Sequence, residues 1–271
     1  MPADSAAALD ADEVLYEVSE HIATLTLNRP DRMNTISGTM LAQLTELLLK
    51  ADRDPDVRCI ILTGKGRAFC AGLDLRGASQ GKLGLEGSST STNLDLRATP
   101  PTVLFNLDTP TICALNGSAA GYGLDTALGC DMRLIAEGAK LAVAFTKRGI
   151  VPESGGTWLL PRLVGWSKAA ELIFTGRTLT SDEAVQLGLA ARAVPEADLQ
   201  AEARKLAGEV AANAPLAVQA AKRMMRMGQS EGFNEHVHHV FLQLMPLIRT
   251  EDFGEAVKAF QEKRTPEFKG R

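Results

Sequence analysis

The 271-residue chain is poor in the residues that staple or metallate small folds, with four cysteines and four histidines. Cys59, Cys70, Cys113 and Cys130 each sit in an apolar stretch, with no CxxC pair and no histidine at zinc spacing. That pattern excludes a disulfide framework and a structural zinc site, and reads as buried thiols in a reducing compartment. No apolar run approaches the roughly 18 residues needed to cross a bilayer. The opening MPADSAAALDADE is acidic, without a basic or apolar targeting segment, so residues 1–12 are expected to form a loose leader on a cytoplasmic protein. There is also no excess of positive charge: 29 Lys plus Arg against 33 Asp plus Glu give a net charge of -4, which removes the electrostatic footprint of a nucleic-acid binder.

Common catalytic signatures are missing as well. Gly64 and Gly66 are followed by Phe69, and Gly121 and Gly123 by Thr126, so the GxGxxG dinucleotide fingerprint fails twice. There is no GxxxxGK[ST] loop and no HExxH. Ser154 has Pro152 where a nucleophile elbow needs glycine. Three histidines cluster at His236, His238 and His239, but no carboxylate or cysteine partner is evident, which favours a solvated or interfacial cluster over a metal site.

What is present is a chain at the upper edge of what one core can organise, 45% apolar and 23% charged. Val14 to Val18 and Ile22 to Leu27 alternate apolar and polar residues around Ser19-Glu20-His21, the pattern of a hairpin with one buried face. From Ser37 the apolar positions Met40, Leu41, Leu44, Leu47, Leu48 and Ala51 recur at helical spacing until Asp54-Pro55-Asp56. Val57 to Thr63 is a short β-branched run, the pattern of a strand covered on both faces. The same grammar returns later: helix, then the buried run Thr111 to Leu115, then strands at Met132 to Ile135 and Lys140 to Ala144. A helix is expected with Ser154-Gly155-Gly156 in its first turn. Beyond residue 166 nearly everything reads helical apart from a short strand at Leu189 to Val194. The Gly77 to Asn93 stretch, with four glycines and little apolar content, reads as a mobile loop.

Two glycine-rich loops each leave the end of a buried strand: Phe69-Cys70-Ala71-Gly72-Leu73-Asp74-Leu75 and Asn116-Gly117-Ser118-Ala119-Ala120-Gly121-Tyr122-Gly123. Glycine permits close backbone approach to a ligand, and two such loops can offer two N–H donors to one oxygen. That is the chemistry of an oxyanion hole, although glycine-rich loops after strands are more often tight turns.

The blocks LTLNRPDRMNTIS, IILTGKGRAFCAGLDL, PTICALNGSAAGYGLDTALGCDMRLIAEGAKLAVAF, GIVPESGGTWLLPRLVG and AFQEKRTPEF resemble the enoyl-CoA hydratase/isomerase, or crotonase, superfamily, in its order and spacing over residues 13 to 268. The resemblance implies an α/β fold, a spiral of repeated ββα units. It places an acyl-CoA-binding core over 13–195 and a C-terminal helical trimerisation region over 196–271, assembled as a homotrimer or a dimer of trimers. It implies no prosthetic group and no metal; coenzyme A enters as part of an acyl-CoA thioester, whose carbonyl oxygen binds between the N–H groups of Leu73 and Tyr122. Tyr122 stands where glycine or alanine is usual and is expected to narrow the pocket. Coenzyme A contacts fall on the segments matching Arg29 to Met33, including Arg32 and Met33, and Ala71 to Arg76, including Ala71, Asp74, Leu75 and Arg76. A late helix supplies Phe260 and Lys263, often to a neighbouring subunit. Arg32 and Lys263 carry charges suited to phosphates, while Ala71 and Leu75 help shape an adenine slot. Without the resemblance, both cations read as solvated surface charge.

The carboxylates select the reaction. Hydratases of the superfamily carry two glutamates, and those positions fall here on Asp125, one methylene shorter, and on Phe145, which transfers no proton. Glu153 instead matches the acid/base residue of members that move double bonds, such as Δ3,Δ2-enoyl-CoA isomerases. The resemblance therefore implies double-bond isomerisation with Glu153 as the base. Asp125 is a second acid/base group, a water-positioning residue or a helix-start carboxylate. A hydratase using Asp125 and/or Glu153 and a noncatalytic acyl-CoA-binding scaffold are the other readings.

Overall fold

A computed structural model of the chain describes residues 12–74 and 99–271. Leu75, Arg76, the expected loop Gly77 to Asn93 and all but the last residue of the expected leader lie outside them.

The alternating segments pair as an antiparallel hairpin, β1 (Val14–Ser19) with β2 (Ile22–Leu27), in the register Val14 to Leu27. Helix α1 (Gly38–Arg53) follows, its start set by Ser37, whose hydroxyl accepts from Met40 N (3.0 Å). Its apolar stripe of Met40, Leu41, Leu44, Leu48 and Ala51 is buried, worth about 1.5–3 kcal/mol for each large side chain. The chain then repeats one unit. A strand enters a first sheet, and a short second strand crosses to another: β3 (Cys59–Gly64) then β4 (Ala68–Cys70), β5 (Thr111–Leu115) then β6 (Ser118–Ala120), β7 (Met132–Ala136) then β8 (Lys140–Ala142). Helix α2 (Pro100–Asn106) precedes β5, and α3 (Tyr122–Gly129) follows β6.

The first sheet has the order β1-β2-β3-β5-β7-β10, parallel from β2 onward, with β10 at Arg192–Val194. The second is β4-β6-β8-β9, with β9 (Thr178–Thr180) antiparallel to β8. All residues of β3 and β5 are buried, as expected for parallel strands covered on both faces. The four free thiols are buried in this core. Arg133 on β7 is a buried cation, donating to the carbonyls of Leu189 (2.6 Å) and Cys130 (2.5 Å), the latter just beyond the C-terminus of α3 where the helix dipole favours positive charge.

Helices α4 (Gly156–Val164), α5 (Trp166–Thr175) and α6 (Ser181–Gln186) lead to β10, and α7 (Leu199–Ala211) lays Leu199, Ala203, Ala207 and Ala211 into the core. Three further helices, α8 (Pro215–Met227), α9 (Phe233–Leu247) and α10 (Glu251–Glu262), complete the chain. Two local readings are corrected. Ser154 and Gly155 precede the helix they were expected to open, because Gly155 adopts a φ of +103° and α4 starts at Gly156. The histidine cluster does have a carboxylate partner: Glu231 accepts from Nδ1 of His236 (3.2 Å) and of His239 (3.0 Å), a partner hidden in the turn before α9. Among the described residues no helix is long and apolar enough to cross a membrane, and no cluster of His, Cys, Asp and Glu is suited to a metal ion.

Candidate active site

Both glycine loops contain a strand, and that fact builds the site. β4 and β6 are neighbours and run parallel, with Ala68 opposite Ser118 and Cys70 opposite Ala119. Parallel neighbours end on the same side of a sheet, so Ala71-Gly72-Leu73 and Gly121-Tyr122 emerge side by side. Two glycines permit the approach. A Cβ on Gly72, whose φ is +102°, would stand 3.0 Å from Ala120 O; one on Gly123 would stand 2.3 Å from Cys70 O.

The first loop is held from behind. Ala71 N donates to Met33 O (3.0 Å), Ile36 N to Gly72 O (2.9 Å) and Asp74 N to Ile36 O (3.0 Å). This parallel bridge uses the groups on either side of Leu73, so the Leu73 N–H faces the other way. Tyr122 is the first residue of α3, where helix geometry supplies no intrahelical acceptor for its N–H. Neither N–H has an acceptor among the described residues. Both residues line one cavity, together with Ala71, Gly72 and Gly121 of the glycine loops and with Ala144, Phe145, Arg148, Ile150 and Glu153 of the later segment.

Among the described residues, Glu153 is the only carboxylate in that lining. Both of its carboxylate oxygens are shielded from solvent and neither has a hydrogen-bond partner among the described residues. Burial holds its pKa above the ordinary glutamate value. Asp125, on the first turn of α3, is 1% exposed and does not line the cavity. It lies behind the Glu153 turn, accepting from Ser154 N (3.4 Å). Burial and then the neighbouring Glu153 charge push Asp125 up to about 7, against the opposing pull of the Ser154 and Gly156 N–H groups. Two carboxyls so close cannot both ionise freely, and the pair retains a proton toward neutral pH. The Tyr122 phenol is buried beside Ser154 and Thr99, and burial raises its pKa.

The segment expected to meet coenzyme A is adjacent to the first loop. Asn34 is buried and its amide donates to Lys65 O (3.0 Å) and Ala68 O (2.8 Å), fastening residues 29–34 to β4. Asp74 is ion-paired with Arg29 (3.3 Å), which Glu13 also contacts (3.1 Å). Arg32 and Met33 are exposed beside this network, and Met33 closes a tight turn with φ +50°. The structure thus brings Leu73, Tyr122, Ala71 and Glu153 to one cavity and Arg32, Met33 and Asp74 to the neighbouring segments. It does not bring Phe260 or Lys263 there: Phe260 is 86% exposed on α10, and no residue of α10 lines the cavity. Arg148 and Asn34 were missed by sequence reasoning. Arg148 was findable, since it lies between Phe145 and Glu153, two positions that the resemblance had matched to acid/base residues; Asn34 gives no signal before the pairing of its segment with β4 is known.

A family model described as Enoyl-CoA hydratase/isomerase matches residues 17–271. YngF of Bacillus subtilis (strain 168), named for an enoyl-CoA hydratase/isomerase, is 38% identical over 261 residues, covering 96% of this chain and 99% of YngF. The 1,2-epoxyphenylacetyl-CoA isomerase of Escherichia coli (strain K12) is 36% identical, over 95% of this chain and 98% of its own. The crystal structure of an enoyl-CoA hydratase from Bacillus anthracis superposes with a TM-score of 0.86 at 33% identity, covering 96% of this chain and 100% of that one. With a spiral of strand pairs, two glycine loops meeting at one cavity and a match along nearly its whole length, the chain is an enzyme belonging to the enoyl-CoA hydratase/isomerase family of the crotonase superfamily.

Proposed function

We propose that this enzyme moves a double bond along the acyl chain of an enoyl-CoA thioester, with Glu153 as its acid/base group and the N–H groups of Leu73 and Tyr122 holding the enolate oxygen. The observation that carries the reading is that, among the described residues, one shielded and unpartnered carboxylate lines the cavity shared with those two residues. In a 3-enoyl thioester, the Glu153 carboxylate takes a proton from C2. The C–H electron pair moves into a dienolate whose oxygen charge is met by the two backbone donors. The protonated Glu153 then returns the proton to C4, leaving the double bond between C2 and C3; no water is consumed. Its raised pKa makes Glu153 a stronger base than an exposed glutamate.

Asp125 acts in this scheme as a positioning residue, bracing the turn through Ser154 N. Arg32, Met33, Ala71 and Asp74 receive the coenzyme A portion. Phe260 and Lys263 serve a neighbouring copy, the chain assembling as a homotrimer or dimer of trimers through its C-terminal helices. Support for assembly comes from α9 and α10, where Phe233, Phe241, Leu242 and Phe260 are all more than half exposed in the isolated chain.

The test is Glu153→Gln, assayed for 3-enoyl-CoA isomerisation and for 2-enoyl-CoA hydration, with folding checked by circular dichroism. Isomerisation is expected to fall about 10²–10⁴-fold. Full isomerase activity in the variant sinks the reading, and strong hydration lost only in Asp125→Asn would install the hydratase in its place.

A further inference from the structure

Among the described residues that line the cavity, one is a cation. Arg148 ends a 3-10 turn (Thr146–Arg148) directly after Phe145 and lines the same cavity as Leu73, Tyr122 and Glu153. The turn is pinned in place: Thr146 Oγ1 donates to Ile173 O on α5 (2.8 Å), and Arg148 N donates to Phe145 O (2.8 Å). The guanidinium gives one hydrogen bond, from Nη1 to Ala144 O (3.1 Å). Among the described residues it has no carboxylate partner, and Glu153 is not paired with it. A guanidinium has five N–H donors, so most of them are without a protein acceptor among the described residues, on an exposed side chain that lines the cavity with Ala144, Phe145, Ile150 and Glu153.

An apolar acyl chain gains nothing from that group and removes water from it. A carboxylate at the far end of the chain meets it with short charge-assisted bonds, and the planar fork suits two oxygens at once. Position separates this from the coenzyme A phosphates. With the thioester oxygen between Leu73 and Tyr122, the segments of Arg32 and Asp74 lie on the first-loop side, while Arg148 shares the wall of Glu153, where the carbons beyond the carbonyl must reach for proton transfer. Resting on the reading of the site given above, we infer that Arg148 is a specificity-determining residue that selects thioesters whose acyl group ends in a carboxylate.

The experiment compares hex-3-enoyl-CoA with its ω-carboxylate counterpart, for the native enzyme, Arg148→Met and Arg148→Lys. The same comparison is made by calorimetric binding of the saturated pair, hexanoyl-CoA and adipoyl-CoA. The native enzyme is expected to prefer the carboxylated member in kcat/KM and in Kd, and Arg148→Met to shrink that preference by about 10–100-fold. Arg148→Lys falls between, since an ammonium keeps the charge but loses the fork. An unchanged preference in Arg148→Met overturns the inference. So does an equal loss for both acyl groups that is relieved in dephospho-CoA esters, which assigns the cation to a phosphate instead. Because the saturated pair reports binding alone, a native enzyme inert as an isomerase that still favours adipoyl-CoA through Arg148 sinks the reaction reading while sustaining the inference.

Discussion

Helices α3 and α9 are both rich in apolar residues, yet all eight residues of α3 are buried and none of α9 is. α3 is short, begins at Tyr122 and carries Asp125 into the interior beneath the Glu153 turn. α9 presents Phe233, Val237, Phe241, Leu242 and Leu244 on several sides of its surface, packed in this chain mainly against α8. A helix apolar all round is stable when it is enclosed, so α3 is complete within one chain, whereas α9 leaves large apolar side chains exposed on it, the surface assigned above to the proposed assembly. One helix builds the site, and no residue of the other lines the cavity.

The sharpest way to break the contrast is to spoil the enclosure of α3. Gly123→Ala places a methyl 2.3 Å from the Cys70 carbonyl, which belongs to backbone and cannot turn aside. The expected loss is about 3 kcal/mol in chemical denaturation, with turnover falling further as the two glycine loops separate. A melting curve and activity both unchanged would show that the loops do not depend on that approach.

A smaller effect follows from Asp125. Its carboxyl titrates near 7 in the folded chain against an ordinary 3.8, so between those values the folded state keeps a proton that the unfolded chain has released. The stabilisation is therefore complete below about pH 4 and is lost as pH rises toward 7. Asp125→Asn should flatten the decline in stability over that window by about 1–2 kcal/mol, read from denaturant midpoints at several pH values. An unaltered slope would mean that the buried pair relaxes or admits water.

The smallest effect on the chain itself is expected in α9. Phe241→Asp removes an exposed side chain and should alter the stability of the isolated fold by no more than about 0.5 kcal/mol. Light scattering should nevertheless report a smaller assembly, since the charge must be desolvated at any interface that covers it. An unchanged mass would locate the contact elsewhere.

Much of this was legible in the residues. The hairpin of β1 and β2, helix α1 and the buried strands β3, β5 and β7 follow from periodicity within windows of 5 to 16 residues, and the motif blocks pointed to Leu73, Tyr122 and Glu153. Of the second sheet, only β8 was legible, as the expected strand Lys140 to Ala144. β4, β6 and β9 are three residues each, too short to display a period of two, and β4 and β6 lay inside what read as glycine loops.

By itself, then, the sequence determined the elements whose pattern repeats locally and the chemical types present in each motif, because backbone propensity and amphipathic spacing are properties of neighbours along the chain. Tertiary structure alone decided that Cys70 and Ala119 pair, that Asp125 stands behind the cavity while Glu153 and Arg148 line it, and which apolar helix is enclosed. Those outcomes depend on burial and on contacts between residues far apart in the chain, and a carboxylate or a guanidinium takes its chemistry from what surrounds it.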